Sequence, residues 1–155
     1  MKVRVDITNG LQEPEIVIRC KNSDEKIRLL EKKINQLLAM GQEICLYQGN
    51  QEVFLAMESI LFFETDGDKV YAHTRENSFL AKYKLYELEK FLPDAFLRIS
   101  KSAIVNINQI FSINVQRIPS SKQIIFYDTV KHIFVSRRYY QTLKQQMSAR
   151  RDGIQ

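Results

Sequence analysis

The sequence predicts a mainly β fold of antiparallel strands with short helices, preceded by a small α/β extension at the N-terminus. Three observations predict it. From Glu43 onward apolar and polar residues alternate with period two; Gly49-Asn50 and Asp66-Gly67-Asp68 interrupt that alternation with tight-turn chemistry; and helical spacing is confined to three stretches. A chain of 155 residues that is 45% hydrophobic is long enough for one domain, or one domain with an extension, built around its own core.

Taken in order, VRVDIT at 3–8 and EIVIRC at 15–20 flank the turn-rich NGLQEP and predict a pair of strands. A helix follows over 24–40, with N-cap residues in Asn22-Ser23-Asp24 and apolar Ile27, Leu30, Ile34, Leu37 and Leu38 on one face; Gly41 ends it. This helix either packs on its own strands or forms a dimer face. EICLYQ and EVFLAM make one hairpin, SILFFET and KVYAHT a second, and SFLAKY a further strand. LYELEKFLP at 85–93 turns helical and stops at Pro93. The strands FLRIS, AIVNI, IFSINVQRI, QIIFYD and KHIFVS come next, with a turn around Pro119-Ser120-Ser121-Lys122, before a closing helix RRYYQTLKQQMSAR and a frayed tail.

Composition excludes several functions. No run of about 18 apolar residues occurs and the start lacks the pattern of a secretory signal, so a cytoplasmic protein without membrane insertion is expected. Cys20 and Cys45 stand far apart, as do His73 and His132, so neither a metal site nor a Cys–His pair is predicted, and each cysteine is read as a small buried apolar residue. No glycine-rich phosphate loop and no nucleophile–base constellation is present; no cofactor and no enzymatic activity are expected. The acids Glu64 and Asp66 beside a turn fit backbone hydrogen bonding better than acid–base chemistry.

The formal net charge is +5, and it is unevenly spread. Residues 1–95 carry 13 Lys/Arg against 16 Asp/Glu, whereas residues 96–155 carry 10 against 2. Cations gathered in one region suit a polyanion, because phosphates release condensed counterions when they are neutralised. Two clusters concentrate the signal. In FLRISKSAIVNINQI at 96–110, apolar-alternating strands frame Ser100, Lys101 and Ser102; in VSRRYY at 135–140, Ser136, Arg137 and Arg138 follow a strand. A hydroxyl-flanked ammonium makes a poor core and a good phosphate contact. Asn106 reads as a backbone-satisfying residue, Arg98 equally as an ion-pair partner or a phosphate contact, and Tyr139-Tyr140 as packing.

The order ILFFET, turn, KVYAHT, short helix, FLRISKSAIVNINQI, variable hairpin and KHIFVSRRYYQTLK resembles the LytTR-type DNA-binding domain of bacterial transcription regulators, over about residues 43–148. The resemblance rests on Phe96, Arg98, Ile99, Ser102, Ile104, Val105 and Asn106, with V-S-R-R correctly placed downstream. It implies an elongated, antiparallel multi-sheet fold that enters successive grooves of double-stranded DNA with three loops. By position, the turn before KVYAHT supplies Asp68 or Lys69, the turn in RISKSA supplies Lys101 with Ser100 and Ser102 beside it, and the end of the last strand supplies Arg137 and Arg138. Histidine or asparagine often stands at the first two reading positions of the family, where this chain has Asp68 and Lys101. Arg138 suits guanine O6 and N7, while Lys69 and the serines suit phosphates.

The domain division expected is 1–42 for a strand–strand–helix extension and 43–150 for the LytTR-like domain. The first 42 residues are too few for a receiver domain, and the extension resembles that of stand-alone LytTR regulators, often encoded beside a small membrane protein. A homodimer, at least on DNA, follows from a site of two repeats, with the extension supplying self-association. The competing function is a protein-interaction module whose open sheet edges recruit a partner, with weak or degenerate DNA binding because of Asp68.

Overall fold

A computed structural model describes residues 2–39, 41–115 and 121–152. Among them the first regular element is helix α1 (Glu25–Ala39), and ten strands and two further helices follow: β1 (Glu43–Gln48), β2 (Gln51–Ala56), β3 (Phe62–Asp66), β4 (Lys69–His73), β5 (Ser78–Ala81), α2 (Leu85–Phe91), β6 (Phe96–Ser100), β7 (Ala103–Asn106), β8 (Ile110–Asn114), β9 (Ser121–Phe126), β10 (His132–Ser136) and α3 (Arg137–Asp152). Seven strands form one antiparallel sheet in the order β2-β1-β5-β4-β3-β7-β6, and three form a second in the order β10-β9-β8. The mainly β, multi-sheet expectation holds.

The turns lie where the sequence puts them. Gly49 and Gly67 adopt φ of 58° and 63°, the left-handed conformation that tight hairpins require and that a Cβ disfavours. Asp24 caps α1 by accepting from the Ile27 N–H at 2.9 Å, and Gly41, at φ 79°, follows the helix. Glu87 reaches back to the Lys84 N–H at 2.9 Å to close the start of α2.

Two cores lie on opposite faces of the large sheet. Phe63, Val70, Ala72 and Ile104 pack with Leu85 and Leu88 of α2, whereas Phe62, Ala103 and Val105 face Ile124, Phe126, Ile133 and Val135 of the small sheet and Leu143 of α3. Residues 103–107 are therefore buried without interruption, and the half-covered alternation expected there is corrected. β7 lies between β3 and β6 with a hydrophobic layer on each side, so both faces demand apolar residues. Asn106 is the exception among the described residues, a buried polar side chain. It donates to the Ile60 carbonyl at 3.0 Å and accepts from the Asn108 N–H at 3.1 Å, satisfying the chain where β7 ends.

The N-terminal strand pair is also corrected. Residues 3–8 and 15–20 form no strand, and Val3, Val5 and Ile7 are 94%, 86% and 93% exposed. Alternation creates a face, and here no layer exists for that face to cover. α1 consequently does not pack on strands of its own. Cys20 is exposed rather than buried, while Cys45 is half-buried in β1. The turn expected around 119–122 begins, and the tail at 153–155 lies, outside the described residues.

The ends of the sheets opposite the basic tips are clamped together. Arg75 donates to the Tyr127 carbonyl at 3.1 Å and to Gln109 Oε1 at 2.8 Å, Thr129 Oγ1 donates to the Arg75 carbonyl at 2.9 Å, and Lys131 Nζ donates to the Asn77 carbonyl at 2.6 Å. This fastens the β4–β5 turn to the β9–β10 turn and fixes one sheet against the other.

Candidate nucleic-acid interface

Antiparallel pairing brings the first two tips together. β3 pairs with β7 so that Glu64 stands opposite Ala103, which puts the Asp66–Lys69 turn and the Ser100–Ser102 turn at the same end of the sheet. The Thr65 N–H donates to the Ser102 carbonyl at 2.9 Å and ties one turn to the other. Asp66, Gly67, Asp68 and Lys69 are all exposed.

The second tip is held by Arg98. Its guanidinium donates to the Ser100 carbonyl at 2.6 Å and the Lys101 carbonyl at 2.5 Å, and pairs with Glu89 of α2 at 2.9 Å. Arg98 thus shapes the turn from behind and is spent on an ion pair within the fold. The Ser102 N–H donates to Ser100 Oγ at 3.1 Å, and the two hydroxyls lie 3.3 Å apart. Lys101 stands exposed at the tip.

The third tip is the junction of the last strand and the closing helix, which starts at Arg137 as expected. β10 runs directly into α3, so Arg137 and Arg138 occupy the first turn of that helix, and both are exposed. First-turn amides of a helix have no intrahelical acceptor and favour anions, which adds to the two cations. Tyr139 and Tyr140 pack against the second core, with the Arg138 guanidinium 5.8 Å from the Tyr139 ring centroid and Lys122 Nζ 4.9 Å from that of Tyr140.

A cleft of about 440 Å³ lies between the second tip and the end of β10, lined by Glu64, Ser100, Ser102, Ala103, His132, Ile133, Phe134 and Ser136. Three hydroxyls from two sheets therefore face one space, and the exposed Lys101 and Arg137 adjoin them in sequence. His132 and Phe134 contribute an edge-to-face aromatic pair at 5.7 Å, and Phe134 is half exposed. Sequence reasoning missed Glu64, His132 and Phe134 as members of this surface. Only the exposed alternate positions of β10 signalled the last two.

Glu64 is the discordant group. Burial, and then the neighbouring Asp66 carboxylate, raise its pKa above the usual carboxylate value. Its Oε2 lies 3.6 Å from His73 Nε2. Burial, with Lys131 nearby, lowers the His73 pKa to about 4, so at neutral pH the imidazole is uncharged and this contact is no ion pair. His73 also stacks on Phe62 at 4.4 Å.

A stability prediction follows. An unfolded chain takes up the His73 proton near pH 6.5 and the folded chain near pH 4, so the unfolded state binds more protons between those values and stability falls as the pH drops through that window. Glu64, with its raised pKa, works weakly the other way. Melting temperatures of His73→Phe, which keeps an aromatic face against Phe62, are expected to decline less between pH 6.5 and 4 than those of the parent; parallel declines would contradict the assignment.

Comparison with known proteins settles the family. The LytTr DNA-binding domain family matches residues 50–148. This chain belongs to that family. A solved LytTr DNA-binding domain from Bacillus cereus superposes with a TM-score of 0.60 at 25% identity, covering 66% of this chain and 94% of that one. Two relatives from strains of Staphylococcus aureus, each named an uncharacterized HTH-type transcriptional regulator, are 28% and 27% identical over 148 residues, which is 96% of this chain and 99% of theirs. The LytTr family binds DNA and is not an enzymatic one. The helices described in this LytTr chain are separated from one another by strands, so no helix-turn-helix occurs among the described residues. Nor do these residues contain a helix long and apolar enough to cross a membrane, or a group of three or more side chains suited to hold a metal.

Proposed function

We propose that this protein is a sequence-specific transcription regulator whose three tips engage double-stranded DNA together, with residues 43–150 as the DNA-binding unit. The observation that carries the reading is that the Asp66–Lys69 turn is tied to the Ser100–Ser102 turn, and that this second turn shares a hydroxyl-lined cleft with the end of β10, from which α3 starts. In the implied arrangement the tips insert into successive grooves. Arg138 reads a guanine edge, Lys101 meets a base acceptor or a phosphate, and Ser100, Ser102, Lys69 and Arg137 hold phosphate oxygens. Asp68, in the same turn as Asp66, makes the first tip acidic, so that tip fits through Lys69 and contributes least to affinity. The action is in the cytoplasm.

Phosphate contact predicts a salt dependence. With two or three of these cations on phosphates, log K should fall against log salt with a slope of about −2 to −3. Gel shifts on the promoter region of the protein's own gene, repeated over a salt series, check this. A flat response, or no shift at low salt, would favour the alternative of a protein-interaction module.

A further inference from the structure

We propose that α1 is a parallel, two-stranded coiled-coil seam that joins two copies of this chain. Among its described side chains the helix contributes none to either core, yet it carries Ile27, Leu30, Ile34 and Leu37 at spacings of three, four and three residues, the first three half-buried in the single chain. Leu37 and Leu38 are 66% and 60% exposed, so the stripe ends in open apolar surface. A second copy is the occupant the sequence specifies.

Ile27 and Ile34 occupy the first core position of each heptad and Leu30 and Leu37 the second, the combination that favours two parallel strands. The flanking charges give the direction. In a parallel pair Lys26 of one copy faces Glu31 of the other, and Lys33 lays its aliphatic stem over Leu38. In an antiparallel pair Lys26 would instead face the second Lys33. Two heptads give only a weak dimer in isolation, and adjacent DNA sites would raise it by supplying a high effective concentration. The linker through Gly41, at φ 79°, then joins the seam to β1 in each copy.

The test uses the full chain with Cys20→Ser and Cys45→Ala and a single cysteine introduced at Leu37. Mild oxidation is expected to give an interchain disulfide, and Arg28→Cys on the outer face is expected to give none. Lys26→Glu should reduce cross-linking severalfold, and adding Glu31→Lys should restore it; both changes keep good helix formers, so loss of the helix does not account for the pattern. Mixing Ile27→Cys chains with Leu37→Cys chains should yield no mixed dimer. Absence of the Leu37→Cys disulfide, equal cross-linking at Arg28→Cys, a mixed dimer, or no rescue by the second charge change would each overturn the proposal. DNA binding by single copies stays measurable throughout, so failure here is separable from failure of the DNA reading.

Discussion

Replacing Arg138 by alanine is expected to weaken binding to the promoter duplex roughly tenfold to a hundredfold, the effect of losing one bidentate base contact worth about 1–3 kcal/mol. The guanidinium is exposed and makes no hydrogen bond or ion pair within the described fold, only the contact with the Tyr139 ring, so the melting temperature should stay nearly unchanged. Discrimination between operator and mismatched duplexes should fall with it. Lys101→Ala should behave differently. An ammonium placed on a phosphate adds affinity on any sequence, so its removal should lower binding uniformly and reduce the salt slope by about 0.9. Fluorescence anisotropy on matched and mismatched duplexes separates the two patterns, and unchanged affinity in both variants would remove the case for these tips.

The largest stability loss is expected at Asn106. Asn106→Ala leaves the Ile60 carbonyl and the Asn108 N–H without the partners that now satisfy them, and each orphaned group of this kind costs about 1–3 kcal/mol. Two such groups total about 2–6 kcal/mol, which corresponds to a melting temperature lower by on the order of 10–20 °C for a domain of this size. Asn106→Asp should be no better, because a carboxylate would set an acceptor against the Ile60 carbonyl. Thermal denaturation followed by circular dichroism measures both, and a variant that melts within a degree or two of the parent would show that the side chain bears no structural burden.

Much of the fold was legible because its signals are local. Gly49 and Gly67 need only their own turns, and Asp24 caps the helix three residues ahead of it. The strands at 3–8 and 15–20 were misread for the same reason: Val3, Val5 and Ile7 alternate as a strand would, and nothing in their own sequence reveals that no layer covers them. β7 was misread in the other direction, since its double burial depends on α2 and on a sheet formed by residues far downstream.

The candidate site divides along the same line. Lys101 and Arg138 stand out as cations after strands, but their shared end of the molecule depends on contact between β6 and β10, remote in sequence. Arg98 could be read as an ion-pair partner or as a phosphate contact until Glu89 and two carbonyls took all three faces of its guanidinium. Glu64 looked like an ordinary acid beside a turn; only the packed cleft gives it a neighbour in Ser102 and a raised pKa.

Hydrogen–deuterium exchange, recorded with and without a promoter duplex that the protein retards, probes the joint engagement of the three tips most directly. Slowed exchange is expected at residues 66–69, 100–102 and 136–140, with the clamped turns at 74–77 and 127–131 unchanged. Protection at those clamped turns, with the three tips exchanging as in the free protein, would contradict it.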